Sequence, residues 1–296
     1  MSTFILLTIT GLGLGAMYFL IASGLSLIYG LMGVLNFAHG AFLTVGSYAS
    51  WWMSEHAFAD VDSVLLRFLL GAVCGLAAGG LFAAGVELVL IRPLYRRHIE
   101  QVLVTVGLSI ASIALVQGIW GPDVRAYAAP AWLRDTTTIA GAHVPNDRFV
   151  EIATAGVVLG LLLLFLRKTR YGLIIRAGVE NRAMVTALGI DVRRAFTLVF
   201  ALGGVAAAVA GVLSGVYFTT IDPNQGTSLL IFAFIVVVIG GLGSIGGSAA
   251  AAVLVALVQQ YVNYYASAGI GDLSVVLLLG LVLLARPRGL SGAFAT

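Results

Sequence analysis

The chain has 296 residues, 60% of them hydrophobic, and its 16 Lys and Arg against 13 Asp and Glu leave a formal charge of only +3. Charges this few, gathered into short islands, exclude a soluble globular domain, which needs far more polar surface to cover its core. Repeated apolar stretches of about 20 residues instead identify an all-α, polytopic integral membrane helical bundle, because a barrel would show short alternating segments.

Apolar runs fall at about 4–29, 31–52, 64–91, 101–120, 149–166, 195–218, 227–247, 249–265 and 273–285. They predict eight to ten membrane segments in one continuous transmembrane domain, 1–296, with a loose internal repeat of about 1–166 and 195–296. The first 30 residues carry no Lys or Arg, so they read as a retained span and not as a cleaved signal with a basic leader. The second run is interrupted by glycines, and if it is broken or re-entrant the count changes by one. Cys74 is the single cysteine and lies in an apolar run, which excludes an intramolecular disulfide.

Basic residues set the orientation. Arg92, Arg96 and Arg97 fall in one loop, Arg167, Lys168, Arg170, Arg176, Arg182, Arg193 and Arg194 in the segment 167–194, and Arg286 and Arg288 at the C-terminal end. These three segments hold 12 of the 16 basic residues and are expected in the cytoplasm, with a cytoplasmic C-terminus. Segment 121–151 balances Arg125, Arg134 and Arg148 against Asp123, Asp135, Asp147 and Glu151 and reads as external. Basic residues beside spans are a topology signal, so membrane lipid is the expected partner and nucleic acid is not.

Gly11 and Gly15, then Gly71, Gly75 and Gly79, then Gly211 and Gly215 recur every four residues. Small residues at this spacing let helices approach closely, which argues for packing and says nothing of a substrate. Two denser stretches, 30–40 and 240–247, are different. Glycines at that density interrupt a helix, and irregular backbone at membrane depth survives only where protein buries it or it lines a cavity. Paired interruptions point to a transporter's binding region, which makes Asn36, Phe37, His39, Gly40, Gly241, Gly243 and Ser244 the candidate translocation-pathway residues. The alternative is a pair of interfacial turns.

Polar groups inside the apolar runs are few: Asn36, His39, Glu87, Gln117, Gln259, Gln260 and Asn263. An ionisable group in a membrane is a functional candidate by default. Each has a plainer alternative: His39 can satisfy a carbonyl freed by the break, Glu87 can pair with Arg92, Arg96 or Arg97, and the late cluster can bond between helices. Motifs for zinc, nucleotide or serine chemistry are absent, so no catalytic residue, metal ligand or cofactor is expected. Gly269-Ile270-Gly271-Asp272 mimics an intramembrane aspartyl protease signature, but that chemistry needs two carboxylates sharing a proton.

Within 176–191, Val179, Ala183 and Ala187 lie four apart with Met184 and Leu188 beside them, and Glu180, Asn181 and Arg182 fall on other faces. The pattern predicts a short amphipathic helix ended by Gly189 at C′. A helix this short needs a surface to dock on, in its own bundle or in a partner.

Tyr29 through Gly40, Ala177-Gly178-Val179-Glu180-Asn181 through Leu188-Gly189-Ile190, and Gly240-Gly241-Leu242-Gly243-Ser244-Ile245 carry a resemblance that covers nearly the whole chain. It resembles permease subunits of bacterial branched-chain amino-acid ABC importers, of the LivH type, with Val179 where such chains usually have Ala. The resemblance implies a multi-pass protein of the bacterial cytoplasmic (inner) membrane working with two ATPase subunits, a second permease subunit and an external substrate-binding protein. It makes the cytoplasmic helix a coupling helix, with Val179, Glu180, Asn181, Ala183, Met184, Leu188 and Gly189 as the ATPase-coupling residues. ATP hydrolysis is then expected in the partners and not in this chain. The same architecture serving urea or short amides is the nearest alternative. A self-contained secondary transporter or channel is a second, and a membrane enzyme is disfavoured by the missing catalytic groups.

Overall fold

The computed structural model describes residues 2–33, 36–95, 97–187, 189, 191–267, 269–287 and 289–291. The chain forms helices α1 (Ser2–Met32), α2 (His39–Trp52), α3 (Val64–Val86), α4 (His98–Trp120), α5 (Ala131–Arg134), α6 (Asn146–Lys168), α7 (Arg170–Ala187), α8 (Val192–Phe218), α9 (Gln225–Gly240), α10 (Ile245–Tyr265) and α11 (Ile270–Ala285). Among the described residues six helical stretches are long and apolar enough to cross a membrane, and α9 and α11 are shorter apolar helices. The protein is therefore a polytopic helical membrane bundle.

The run at 31–52 does not form one helix. α1 continues through Met32, Gly33 takes a positive φ of 65°, and α2 starts only at His39. The all-α expectation also needs a small correction. Strands β1 (Arg125–Ala126) and β4 (Thr220–Ile221) pair antiparallel, as do β2 (Thr136–Ile139) and β3 (Ala142–Pro145). The second pair is a hairpin whose two turn residues, Ala140 and Gly141, both have positive φ, the geometry that matches strand twist.

The core is built around α1 and α8. In their most apolar windows 61% and 67% of residues are buried, against 22% for α4 and 17% for α6, which therefore stand at the periphery. Glycines set the inner spacing: a Cβ at Gly75 would run into the Gly46 carbonyl of α2, and one at Gly204 of α8 into Ala83 and the Gly79 backbone of α3. The expected glycine faces thus pack helix on helix.

Two ends result. Arg92 donates to the Thr197 hydroxyl at 2.8 Å, joining the end of α3 to the start of α8. Leu290 N–H donates to the Ile239 carbonyl, joining the C-terminal segment to the end of α9. Ile28 of α1 packs on Gly203 of α8, and α7 packs on α1, α6 and α8. This is the basic end. The opposite, hairpin end holds both strand pairs and the start of α1, with Ser2 beside Gly141.

Candidate functional site

At the basic end α6 stops at Thr169, whose extended backbone turns the chain, and its hydroxyl accepts the Gly172 N–H as α7 begins. The amphipathic helix is thus longer than its pattern suggests, 18 residues starting at Arg170. Gly189 follows with φ of 79°, in the left-handed region that favours glycine. Met184 is exposed and Val185 buried. The side chains of Val179, Glu180, Asn181 and Ala183, and all of Leu188, lie outside the described residues.

Glu87 anchors the same end. It is fully buried in a π-helical turn that continues α3, and accepts from Arg92 at 3.4 Å, from Thr197 Oγ1 at 2.6 Å and from the Tyr95 hydroxyl. Burial, and after it the bond to Glu87, hold the Tyr95 phenol above its ordinary range. Among the described residues, Arg92 is the cation that pairs with Glu87.

In the described part of the first glycine-rich stretch Asn36, Ala38, His39 and Gly40 are buried, and Gly33 and Phe37 are exposed. Asn36 is 3% exposed, and its Oδ1 accepts the Ala38 N–H at 3.0 Å, an Asx turn that starts α2. The Phe37 N–H reaches Thr105 Oγ1 on α4 at 3.3 Å. His39 is fully buried; its Nε2 lies 3.1 Å from the Ile21 carbonyl of α1. Gly40 packs against the Gly226 backbone, so the starts of α2 and α9 nearly touch. Asn36 and Phe37 line a cavity of about 300 Å³ with Leu25, Val106, Ser109, Thr227 and Phe234, whereas His39 and Gly40 are not part of its wall.

The second stretch forms the turn between α9 and α10. Gly241 and Gly243 have φ of 98° and 82°. Ser244 caps α10 by accepting the Gly247 N–H at 3.1 Å. The C-terminal segment closes on this turn: Ser291 N–H and hydroxyl both donate to the Gly240 carbonyl, and Gly289 packs on Gly241. The turn meets the first stretch at one point, where Gly243 lies against Gly30. Gly241, Gly243 and Ser244 are not part of the cavity wall that holds Asn36 and Phe37.

Two features were not legible in the sequence as sites. Arg148 looked like an external loop charge but lies in α6, paired with Asp147 at 3.1 Å and Glu151 at 3.4 Å, with its guanidinium 3.4 Å from the centre of the Tyr217 ring on α8. Glu151 is 1% exposed and packs on Gly13 of α1. The four-residue spacing of Asp147 and Glu151 around Arg148, just before an apolar run, was the available signal. On α4 the buried face carries Gln101, Thr105, Ser109 and Ser112 before it ends in Val116, and the outer face is apolar. The late polar cluster bonds between helices, as its sequence position allowed: Tyr18 donates to Gln259 at 2.8 Å and Gln259 to Asp272 at 2.7 Å. Among the described residues Asp272 therefore meets an amide and not a second carboxylate.

The family described as "Branched-chain amino acid transport system / permease component" matches residues 7–286. The chain is similar to the high-affinity branched-chain amino acid transport system permease protein LivH of Salmonella typhimurium, 29% identical over 287 residues, covering 95% of this chain and 93% of that protein. It is 30% identical over 291 residues to the corresponding permease protein BraD of Pseudomonas aeruginosa, covering 96% and 94%. A probable LivH protein of Methanocaldococcus jannaschii is 26% identical, covering 92% and 88%. No solved structure gives a significant match.

Proposed function

Because the chain belongs to the permease-component family of branched-chain amino acid transport systems, we propose that it is the membrane subunit of an ATP-driven importer of leucine, isoleucine and valine in the cytoplasmic (inner) membrane. The observation that carries the reading is a family match over nearly the whole chain, on a bundle whose two glycine-rich stretches meet at Gly30 and Gly243. Two ATPase subunits, a second permease and an external binding protein complete the machine in this reading. The basic end faces the cytoplasm, because it collects the basic segments. The membrane segments then number nine, the six long spans plus α2, α9 and α11.

Work enters through α7. Its segment from Val179 through Glu180, Asn181, Ala183, Met184 and Leu188 to Gly189 presses on an ATPase subunit, and closure of the ATPase pair moves it. α7 packs on α1 and α8, the two innermost spans, so a displacement there is passed to packed elements with two arrangements. Asn36 and Phe37 face the translocation pathway, and His39 and Gly40 hold α2 beside it. Gly241, Gly243 and Ser244 shape the turn that follows α1 as it shifts.

Reconstitution tests this. Proteoliposomes holding the permeases, the ATPases and the binding protein are expected to accumulate leucine only with ATP inside. Accumulation by this chain alone would favour a self-contained transporter. ATP-dependent uptake of urea or short amides, and not of leucine, would favour the other cargo.

A further inference from the structure

A further cavity, of about 470 Å³, opens at the basic end. Three elements frame it: Leu88 and Arg92 in the turns that continue α3, Tyr171 in the first turn of α7, and a face of α8 that begins at Arg194. Its polarity changes with depth. α8 runs inward from the basic end, so Arg194 stands at the rim and Ala201, seven residues on, lies about 10 Å deeper. α3 runs the other way, which puts Arg92 at the rim and Leu88 below it. Arg92, Arg194 and Tyr171 thus border the opening, and Leu88, Leu198 and Ala201 line the depth. Leu88 is exposed, as are Leu81 and Val89 beside it on the same helical run, so this depth lies against lipid and not inside the bundle.

The two rim cations differ in freedom. Arg92 is fixed by the buried Glu87 carboxylate behind it and by the Thr197 hydroxyl at 2.8 Å. Arg194 pairs with Asp191 at 3.2 Å, but its side chain is 81% exposed, and a surface pair of this kind is too weak to hold it. The surrounding segment 167–194 carries seven basic residues against Glu180 and Asp191, so the field at the rim is positive.

We propose that this cavity holds the headgroup of an anionic glycerophospholipid of the cytoplasmic leaflet, its phosphate taken by Arg194 with Arg92 and Tyr171 beside it, and its acyl chain running down Leu88, Leu198 and Ala201. Such a site goes beyond the importer reading and shares with it only the cytoplasmic side of the basic end. A phosphate-bearing amphiphile is the ligand whose own polarity follows this gradient. Guanidinium donors match phosphate oxygens, basic pockets between membrane helices on the cytoplasmic side suit anionic headgroups, and Tyr is favoured at the membrane interface. A free phosphate, or a carboxylate of a soluble partner, would leave the apolar depth uncovered. Because the cavity joins α3, α7 and α8, a bound lipid would brace the start of the proposed coupling helix against two spans.

The test uses the full-length chain, purified in detergent and mixed with phosphatidylglycerol or phosphatidylcholine, with bound lipid counted by native mass spectrometry. The wild type is expected to keep one phosphatidylglycerol per chain in preference to phosphatidylcholine. Equal retention of the two lipids would overturn the site without recourse to any variant. Arg194→Gln should weaken phosphatidylglycerol retention by about fivefold, the scale of one cation beside an anionic surface. Arg193→Gln removes the same charge one residue away, at an exposed position outside the cavity wall, and should leave retention unchanged. Equal losses in the two variants would mean diffuse attraction to a basic surface and would overturn the site. Excess inorganic phosphate is expected to leave the lipid bound; displacement by it would make the ligand a free anion and overturn the lipid. The lipid should also survive reconstitution with the ATPase subunits, and its loss on their addition would give the cavity to that partner instead.

Discussion

Gly30, near the end of α1, packs backbone to backbone against Gly243, in the turn between α9 and α10, so closely that a Cβ on Gly243 would lie 2.9 Å from the Gly30 Cα. Two stretches more than two hundred residues apart in sequence are thereby one structural feature at the basic end. Gly243 also holds φ of 82°, so a side chain there meets both a steric wall and a strained backbone. Gly243→Val is expected to destabilise the protein by at least about 2 kcal/mol, the strain of a β-branched residue at positive φ plus the clash. Gly246, which has open space around it, supplies the control. Thermal unfolding in detergent should show a clear loss for Gly243→Val and little change for Gly246→Ala. Equal midpoints would mean that the turn moves aside freely.

The buried charges of α6 make a second prediction. Arg148 is the cation between Asp147 and Glu151, and removing it strands two carboxylates inside the bundle. Breaking one side of a buried pair costs about 3–5 kcal/mol, whereas replacing the set with apolar groups of similar size is often neutral. Arg148→Met should therefore lower the unfolding midpoint sharply, and Arg148→Met combined with Glu151→Met should recover part of it, since Asp147 stays unpaired. If the double variant is worse than the single, the ions bind each other more strongly than this argument allows.

At Gly189 the expected fault is conformational. Nothing lies where a Cβ would be placed, yet φ is 79°. Asn tolerates this region and Val does not. Gly189→Asn should keep substrate-stimulated ATPase activity in the reconstituted complex, and Gly189→Val should lose most of it, with a local cost of about 1–2 kcal/mol. Glu180→Lys, a charge reversal on the proposed docking helix, should uncouple in the same way while the protein inserts normally. Wild-type transport by both Gly189→Val and Glu180→Lys would reduce α7 to a passive connector.

Sidedness is checked by chemistry on intact spheroplasts. With Cys74→Ala as background, an impermeant thiol reagent should label Ala128→Cys at the hairpin end and spare Lys168→Cys at the basic end; both positions are exposed. Labelling of Lys168→Cys from outside would invert the bundle.

Composition alone decided that this is a membrane protein, because about 20 consecutive apolar residues have no other stable environment. The spacing of basic residues then grouped the loops, and the structure brings Arg92 and Thr197, and Leu290 and Ile239, to a common end. Positive φ at Gly189 was legible too, since a C′ glycine is a local signal. What lay beyond the sequence was every contact between distant segments. His39 and Asn36 are neighbours in sequence, and only the fold turns one toward the Ile21 carbonyl and leaves the other at a cavity. Arg148 read as a loop charge because hydropathy averages over a window, whereas burial depends on whether Tyr217 and Gly13 happen to face it. The polar face of α4 was hidden for the same reason: Ser and Thr barely alter mean hydropathy, and which side of a peripheral helix turns inward is fixed by its neighbours' shapes and not by its own residues.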